Sequence, residues 1–95
     1  MKLQINKLAS QDLKAIFKYS LENFGQQQAQ NYLSQFQSHF ALLLVNSEMA
    51  QDVSHIRAET RRSVCSEHII YYSATHDTLI ILRVLHGRQD PTRYL

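Results

Sequence analysis

The sequence predicts an α+β domain built from an N-terminal strand, an antiparallel helix hairpin and a three-strand antiparallel meander. Three observations predict it. Apolar residues recur at helical spacing from Leu13 to Leu44, interrupted by one glycine, Gly25. On both sides of that region the period shortens to that of strands. The sheet-forming segments also flank the helices and do not alternate with them, which selects α+β over repeated βαβ units.

In Lys2–Lys7, polar residues alternate with Leu3 and Ile5, as on a short strand. Ser10 offers an N-cap, with Asp12 in the first turn, where the helix dipole favours negative charge. Leu13, Ile16, Phe17, Leu21 and Phe24 then form one stripe, and Gly25 closes the helix. A second stripe, Ala29, Tyr32, Leu33, Phe36, Phe40, Leu43 and Leu44, predicts a long helix from Gln26 to Val45. Two helices joined at one glycine fold back as a hairpin and turn both stripes toward a sheet.

Asn46–His55 is polar and reads as a loop. Arg61–Cys65, His68–Ala74 and Thr78–His86 read as strands, with a turn at Thr75–Asp77. The last strand is nearly continuous in apolar residues, as expected of a strand covered on both faces. Gly87 ends it, and Asp90-Pro91 stops further pairing because proline has no N–H to donate. Thr92–Leu95 is a tail or short turn.

With 95 residues, the chain is expected to form a single domain, 1–95. Such a domain buries a modest fraction of its surface, so a tight partner would add stability by mass action. The one cysteine, Cys65, cannot form an internal disulfide and is read as a small buried hydrophobe. No apolar run is long enough to span a bilayer, and the N-terminus lacks the core of a signal peptide. The expectation is a cytoplasmic protein away from membranes.

The net charge of +2 is too small to argue for nucleic acid, and direct nucleic-acid binding is not expected. The distribution of charge is more informative. All four lysines (Lys2, Lys7, Lys14, Lys18) precede residue 19, and all six arginines (Arg57, Arg61, Arg62, Arg83, Arg88, Arg93) follow residue 56. Arginine is the cation suited to bidentate recognition of carboxylate or phosphate.

The Thr75–Asp77 turn sets a hairpin register that pairs His68 with His86 and Tyr71 with Arg83, the two pairs lying on opposite faces. Adjacent histidines can bind metal or shuttle protons. No acidic or Cys ligand stands at zinc-like spacing, so the expectation is a hydrogen-bonded imidazole pair with no metal and no cofactor. His39, His55 and His76 read as surface residues. No serine sits in a glycine elbow, and two glycines cannot build a phosphate loop.

Several of these residues form a recognisable set: Asp12-Leu13 with Ile16, Tyr19 before Phe24-Gly25, the Arg61-Arg62 pair, the His68–Tyr72 strand, and Arg83-Val84-Leu85-His86-Gly87-Arg88-Gln89-Asp90-Pro91. In these the chain resembles the ParE branch of the RelE/ParE toxin–antitoxin superfamily over nearly its whole length. It departs from the pattern after the second helix, where Asn46-Ser47-Glu48-Met49-Ala50 replaces an Asn-Pro turn and glycine.

The resemblance implies a RelE/ParE-like fold and the toxin of a type II system, neutralised by a cognate, ParD-like antitoxin. ParE-branch members are described as poisoning DNA gyrase, which implies a protein-binding inhibitor and not an enzyme. Arg83, Arg88, Arg93 and Tyr94 are then candidates for the target contact, since Arg and Tyr dominate interface hot spots. Lys14, Lys18, Arg61, Arg62 and Tyr71 are candidates for holding an acidic antitoxin. The alternative is a RelE-like, ribosome-dependent mRNA endoribonuclease, with Arg88 stabilising phosphate charge and His68 or Tyr94 moving protons. A third possibility is a degenerate, non-toxic antitoxin-binding module.

Overall fold

The N-terminal alternation becomes β1 (Lys2–Ile5), and the first apolar stripe becomes α1 (Lys7–Phe24). The computed structural model describes residues 1–95. α1 starts earlier than the Ser10 cap suggests. Asn6 is the N-cap, without a side-chain bond, and the Ser10 N–H donates to the Asn6 carbonyl at 2.9 Å. Burial of Ala9 at 0 % exposure explains the extra turn, because that contact exists only if the helix already runs through it. Asp12 therefore lies beyond the first turn and does not serve the helix dipole.

α2 (Gln26–Val45) follows after one residue, buries Ala29, Phe36, Phe40 and Leu43, and packs antiparallel to α1. Gly25 caps both helices: its N–H donates to the Leu21 carbonyl, and its own carbonyl accepts the Ala29 N–H. It achieves this at φ +88°, ψ 173°, a backbone region that essentially only glycine occupies.

The segment read as a loop contains a two-residue strand, β2 (Gln51–Asp52). β3 (Arg61–Cys65), β4 (His68–Ala74) and β5 (Thr78–His86) form the expected meander, and a one-turn helix, α3 (Pro91–Tyr94), follows. The sheet order is β1-β5-β4-β3-β2, with β1 parallel to β5 from Lys2↔Thr78 to Ile5↔Ile81. The β4–β5 register includes His68↔His86 and Tyr71↔Arg83, as the turn predicts. It then slips by one at Tyr72↔Ile81, which leaves Leu82 as a bulged residue.

Two clusters fill the two faces. The helix-side core joins Ala9, Phe36, Phe40 and Leu43 to Cys65, Ile70, Tyr72, Leu79, Ile81 and Val84. Cys65 is buried there, and burial pushes its thiol pKa up. On the other face Val53, Ile69, Tyr71 and Leu85 pack with Ile56 and Leu95. The apolar run of β5 is thus covered twice, by the helix hairpin on one side and by a loop and the chain end on the other. No helix is long and apolar enough to cross a membrane.

A side chain at Gly25 would meet no atom within 4 Å, so its cost is purely conformational. Gly25→Ala is expected to lower unfolding stability by about 1–3 kcal/mol, from the penalty of holding a non-glycine residue in that region. Urea titration followed by circular dichroism would measure the loss.

Candidate functional site

β1 ends at Ile5, and the ladder closes with the Asn6 N–H donating to the Ile81 carbonyl at 3.0 Å. Beyond Ile81 the outer edge of β5 has no strand beside it, and Asp12 of α1 fills that position. Its Oδ2 accepts the Val84 N–H at 2.9 Å and the Arg83 Nε–H at 2.8 Å, while its Oδ1 accepts from Arg83 Nη2 at 2.9 Å. This two-pronged contact is the chain's single ion pair, and both side chains are 15 % exposed. The bond to Asp12 pushes the Arg83 pKa up, so the guanidinium is always charged.

Arg83 also reaches the chain end. Its Nη1 donates to the Tyr94 carbonyl at 3.1 Å, and its guanidinium lies 5.7 Å from the centre of the Tyr94 ring. The intervening segment is tied at several further points. The His86 N–H donates to Gln89 Oε1 at 2.7 Å and the Arg88 N–H to His86 Nδ1 at 3.1 Å. Asp90 caps α3 by accepting from the Thr92 N–H and hydroxyl, and these bonds hold its carboxyl below the usual range. On this anchored segment Arg88, Arg93 and Tyr94 are exposed. Of the four residues predicted to meet a target, Arg83 is the one spent on internal contacts.

The histidine pair forms as expected, with ring centres 5.3 Å apart and edge to face. His68 also meets Tyr32, whose hydroxyl lies 2.6 Å from His68 Nδ1. Burial, and then the neighbouring His86, lower the His68 pKa, and burial raises that of Tyr32, so both are neutral at pH 7. These residues floor a cleft of about 530 Å³ between the helices and the β3–β4 turn, with the exposed Tyr19 and Phe24 on its rim. His68 and Tyr94 belong to different surroundings: one contacts Tyr32, Phe36 and His86, the other Arg83. Arg88 touches the histidine pair only through its main chain.

The predicted antitoxin residues do not form one patch. Lys14 and Lys18 are exposed on α1, which packs on β5, whereas Arg61 and Arg62 lie on β3, two strands away. Tyr71 is 2 % exposed, its ring enclosed by the second cluster, so it presents no free surface. His39 is not a surface residue: it is half-buried, meets Ser63 Oγ at 2.6 Å, and has its pKa lowered by burial. Two residues that hold the site were not singled out for it from sequence. By position alone Asp12 reads as a helix-dipole residue, and the Asp-Leu pair is the signal that points further. By spacing Tyr32 is one more stripe residue, but a buried phenol needs a partner for its hydroxyl.

Residues 3–91 match the family described as "ParE toxin of type II toxin-antitoxin system, parDE". Toxin ParE1 of Caulobacter vibrioides is 28 % identical over 92 residues, covering 97 % of this chain and 95 % of that protein. Toxin ParE1 of Mycobacterium tuberculosis is 27 % identical over 92 residues, covering 96 % and 94 %. Among solved structures, a chain of the chromosomal ParDE TA system from P. aeruginosa superposes with a TM-score of 0.78 over 90 % of this chain and 95 % of that one. At 16 % identity, that likeness speaks for the fold.

Asp12→Ala strands a partly buried guanidinium and the Val84 N–H together, and is expected to cost about 3 kcal/mol in chemical denaturation. Asp12→Asn retains an acceptor and should cost roughly half as much. Acid sensitivity follows from His39 and His68. Their folded pKa values lie below the ordinary 6.5, so the unfolded chain takes up protons first. Stability should therefore fall as pH drops through about 6.5 and level off only below the folded pKa values. Melting temperatures at pH 7.5 and 5.5 would show the drop, and a His39→Gln/His68→Gln double variant should reduce it.

Proposed function

Because the chain belongs to the ParE toxins of type II toxin–antitoxin systems, we propose that it arrests growth by docking on DNA gyrase in the cytoplasm and that a cognate antitoxin blocks it. The observation that carries this reading is the anchored C-terminal segment. Arg88, Arg93 and Tyr94 stand exposed on it, while Arg83 and Asp12 fix its position against the sheet. A pre-positioned Arg/Tyr surface needs little ordering on binding, which is where affinity is otherwise lost. Arg and Tyr are also the side chains that dominate hot spots.

The reading is of a protein-binding inhibitor and not a nuclease. In support, the candidate proton carriers lie apart: His68 is engaged by Tyr32 on the helix side, and Tyr94 rests on Arg83. General acid–base cleavage needs both within reach of one ribose and its leaving oxygen.

For the antitoxin, two surfaces are available. Lys14 and Lys18 offer positive charge on α1. Leu42 of α2 and Val64 of β3 are exposed and line one groove, where β2 covers only Arg61 and Arg62 of the strand edge. Apolar residues beside an unpaired edge suit a partner that adds a strand or lays a helix there.

Purified toxin is expected to inhibit gyrase supercoiling, with Arg88→Ala/Arg93→Ala weakening inhibition at least tenfold while the melting temperature changes little. Full supercoiling at a large excess of toxin would reject the gyrase reading. Discrete cuts in translated message, mapped by primer extension, would replace it with ribosome-dependent cleavage.

A further inference from the structure

Each face of the sheet bears a cavity. The smaller, about 200 Å³, lies beside Arg62 on the face away from the helix hairpin. The larger is the cleft of about 530 Å³ floored by the histidine pair, a size suited to a small molecule.

Hydrogen bonding assigns the ring protons of that pair. The Arg88 N–H donates to His86 Nδ1 at 3.1 Å, so that nitrogen is an acceptor and the ring proton sits on Nε2. The Tyr32 oxygen is approached by the Ser66 side chain and the Glu67 main-chain N–H, so its own proton goes to His68 Nδ1, 2.6 Å away. His68 therefore also carries its ring proton on Nε2. Neither Nε2–H has a partner within the protein, yet neither nitrogen is sealed from solvent. Two unused N–H donors thus belong to one cleft.

The remaining lining narrows what could meet them. No Lys or Arg lines the cleft, whereas Glu67 does, so an anion would find repulsion and no fixed counter-charge. The Glu67 carboxylate can accept from an N–H group of a ligand. Tyr19 and Phe24 at the rim are 62 % and 64 % exposed, with their rings edge to face at 6.3 Å. They offer aromatic surface to another ring. Ser66, which also lines the cleft, is held at φ +57°. A non-glycine residue in that region is strained, and such strain clusters at ligand sites.

We propose that this cleft binds an uncharged, planar aromatic carboxamide, with its carbonyl oxygen on the Nε2–H groups of His68 and His86 and its ring against Tyr19 and Phe24. The two lone pairs of the carbonyl match the free donors, and the amide N–H faces Glu67. Arg88 joins the cleft only through its main chain, so this site stands whether or not the chain inhibits gyrase.

The test uses the full chain at neutral pH and three probes of similar shape: benzamide, benzoate and toluene. Nitrogen-15 NMR of the imidazoles reads His68 and His86, with the exposed His55 and His76 as internal controls. Without a probe, both cleft histidines are expected to carry their proton on Nε2. Benzamide should shift their signals saturably and leave the controls in place. Benzoate, which adds charge, and toluene, which lacks the acceptor, should each bind at least tenfold more weakly. His86→Phe keeps a ring and removes one donor, and should weaken benzamide binding at least tenfold. If that variant does not fold, Tyr19→Ala, at an exposed position, should weaken binding several-fold. The proposal is overturned if either Nε2 is unprotonated, if benzamide does not saturate, or if benzoate or toluene matches it. Equal shifts at His55 and His76, or a folded variant that binds like the parent chain, would also overturn it.

Discussion

One carboxylate holds three parts of this molecule in place. Asp12 belongs to the first helix, yet its oxygens satisfy the main chain of the central strand and the guanidinium of Arg83. It acts where the parallel strand runs out, so it substitutes for the strand that is absent from that stretch of edge. Arg83 passes the constraint on to the chain end through the Tyr94 carbonyl and ring. A strand of apolar residues could have covered the edge but would have left nothing to hold the tail. An ion pair at this depth adds little net stability over an apolar packing, but it specifies one arrangement.

The two faces of the sheet carry different duties as a result. The helix face contains the large core, with Tyr72 fully enclosed and its hydroxyl donating to the Ser47 carbonyl at 2.7 Å. The other face has a thin cover, made from Val53, Ile56 and Leu95 over Ile69, Tyr71 and Leu85. A thin cover leaves room for the cavity beside Arg62. It also makes the last residue part of the packing, so the tail is held both by charge at Tyr94 and by burial at Leu95.

Much of this was legible beforehand, because helical and strand periods report burial directly. The helix hairpin, the meander and the His68↔His86 register all follow from local spacing. The failures have local causes too. The bulge at Leu82 lies in a run apolar at every position, where a one-residue slip leaves no trace. β2 is two polar residues long, too short for any period. The polarity of His39 points to the surface, but its spacing from Phe36 and Phe40 puts it beside the buried stripe and within reach of Ser63. The cavity around Arg62 draws on four separate stretches of chain, and spacing within one stretch cannot reveal such a meeting.

The parallel pairing of the first strand with the last one affects how the protein is made. Residues 2–5 have no sheet partner until residues 78–81 have been synthesised, and Asp12 waits across 71 positions for Arg83. A growing chain can form its helix hairpin early, because those contacts are local, but must carry the sheet-facing stripe uncovered until the meander emerges. The exposed surface at residues 88–94 is therefore assembled only after β5 has emerged. A nascent chain cut short anywhere before β5 would have neither a finished sheet nor the segment that the sheet displays.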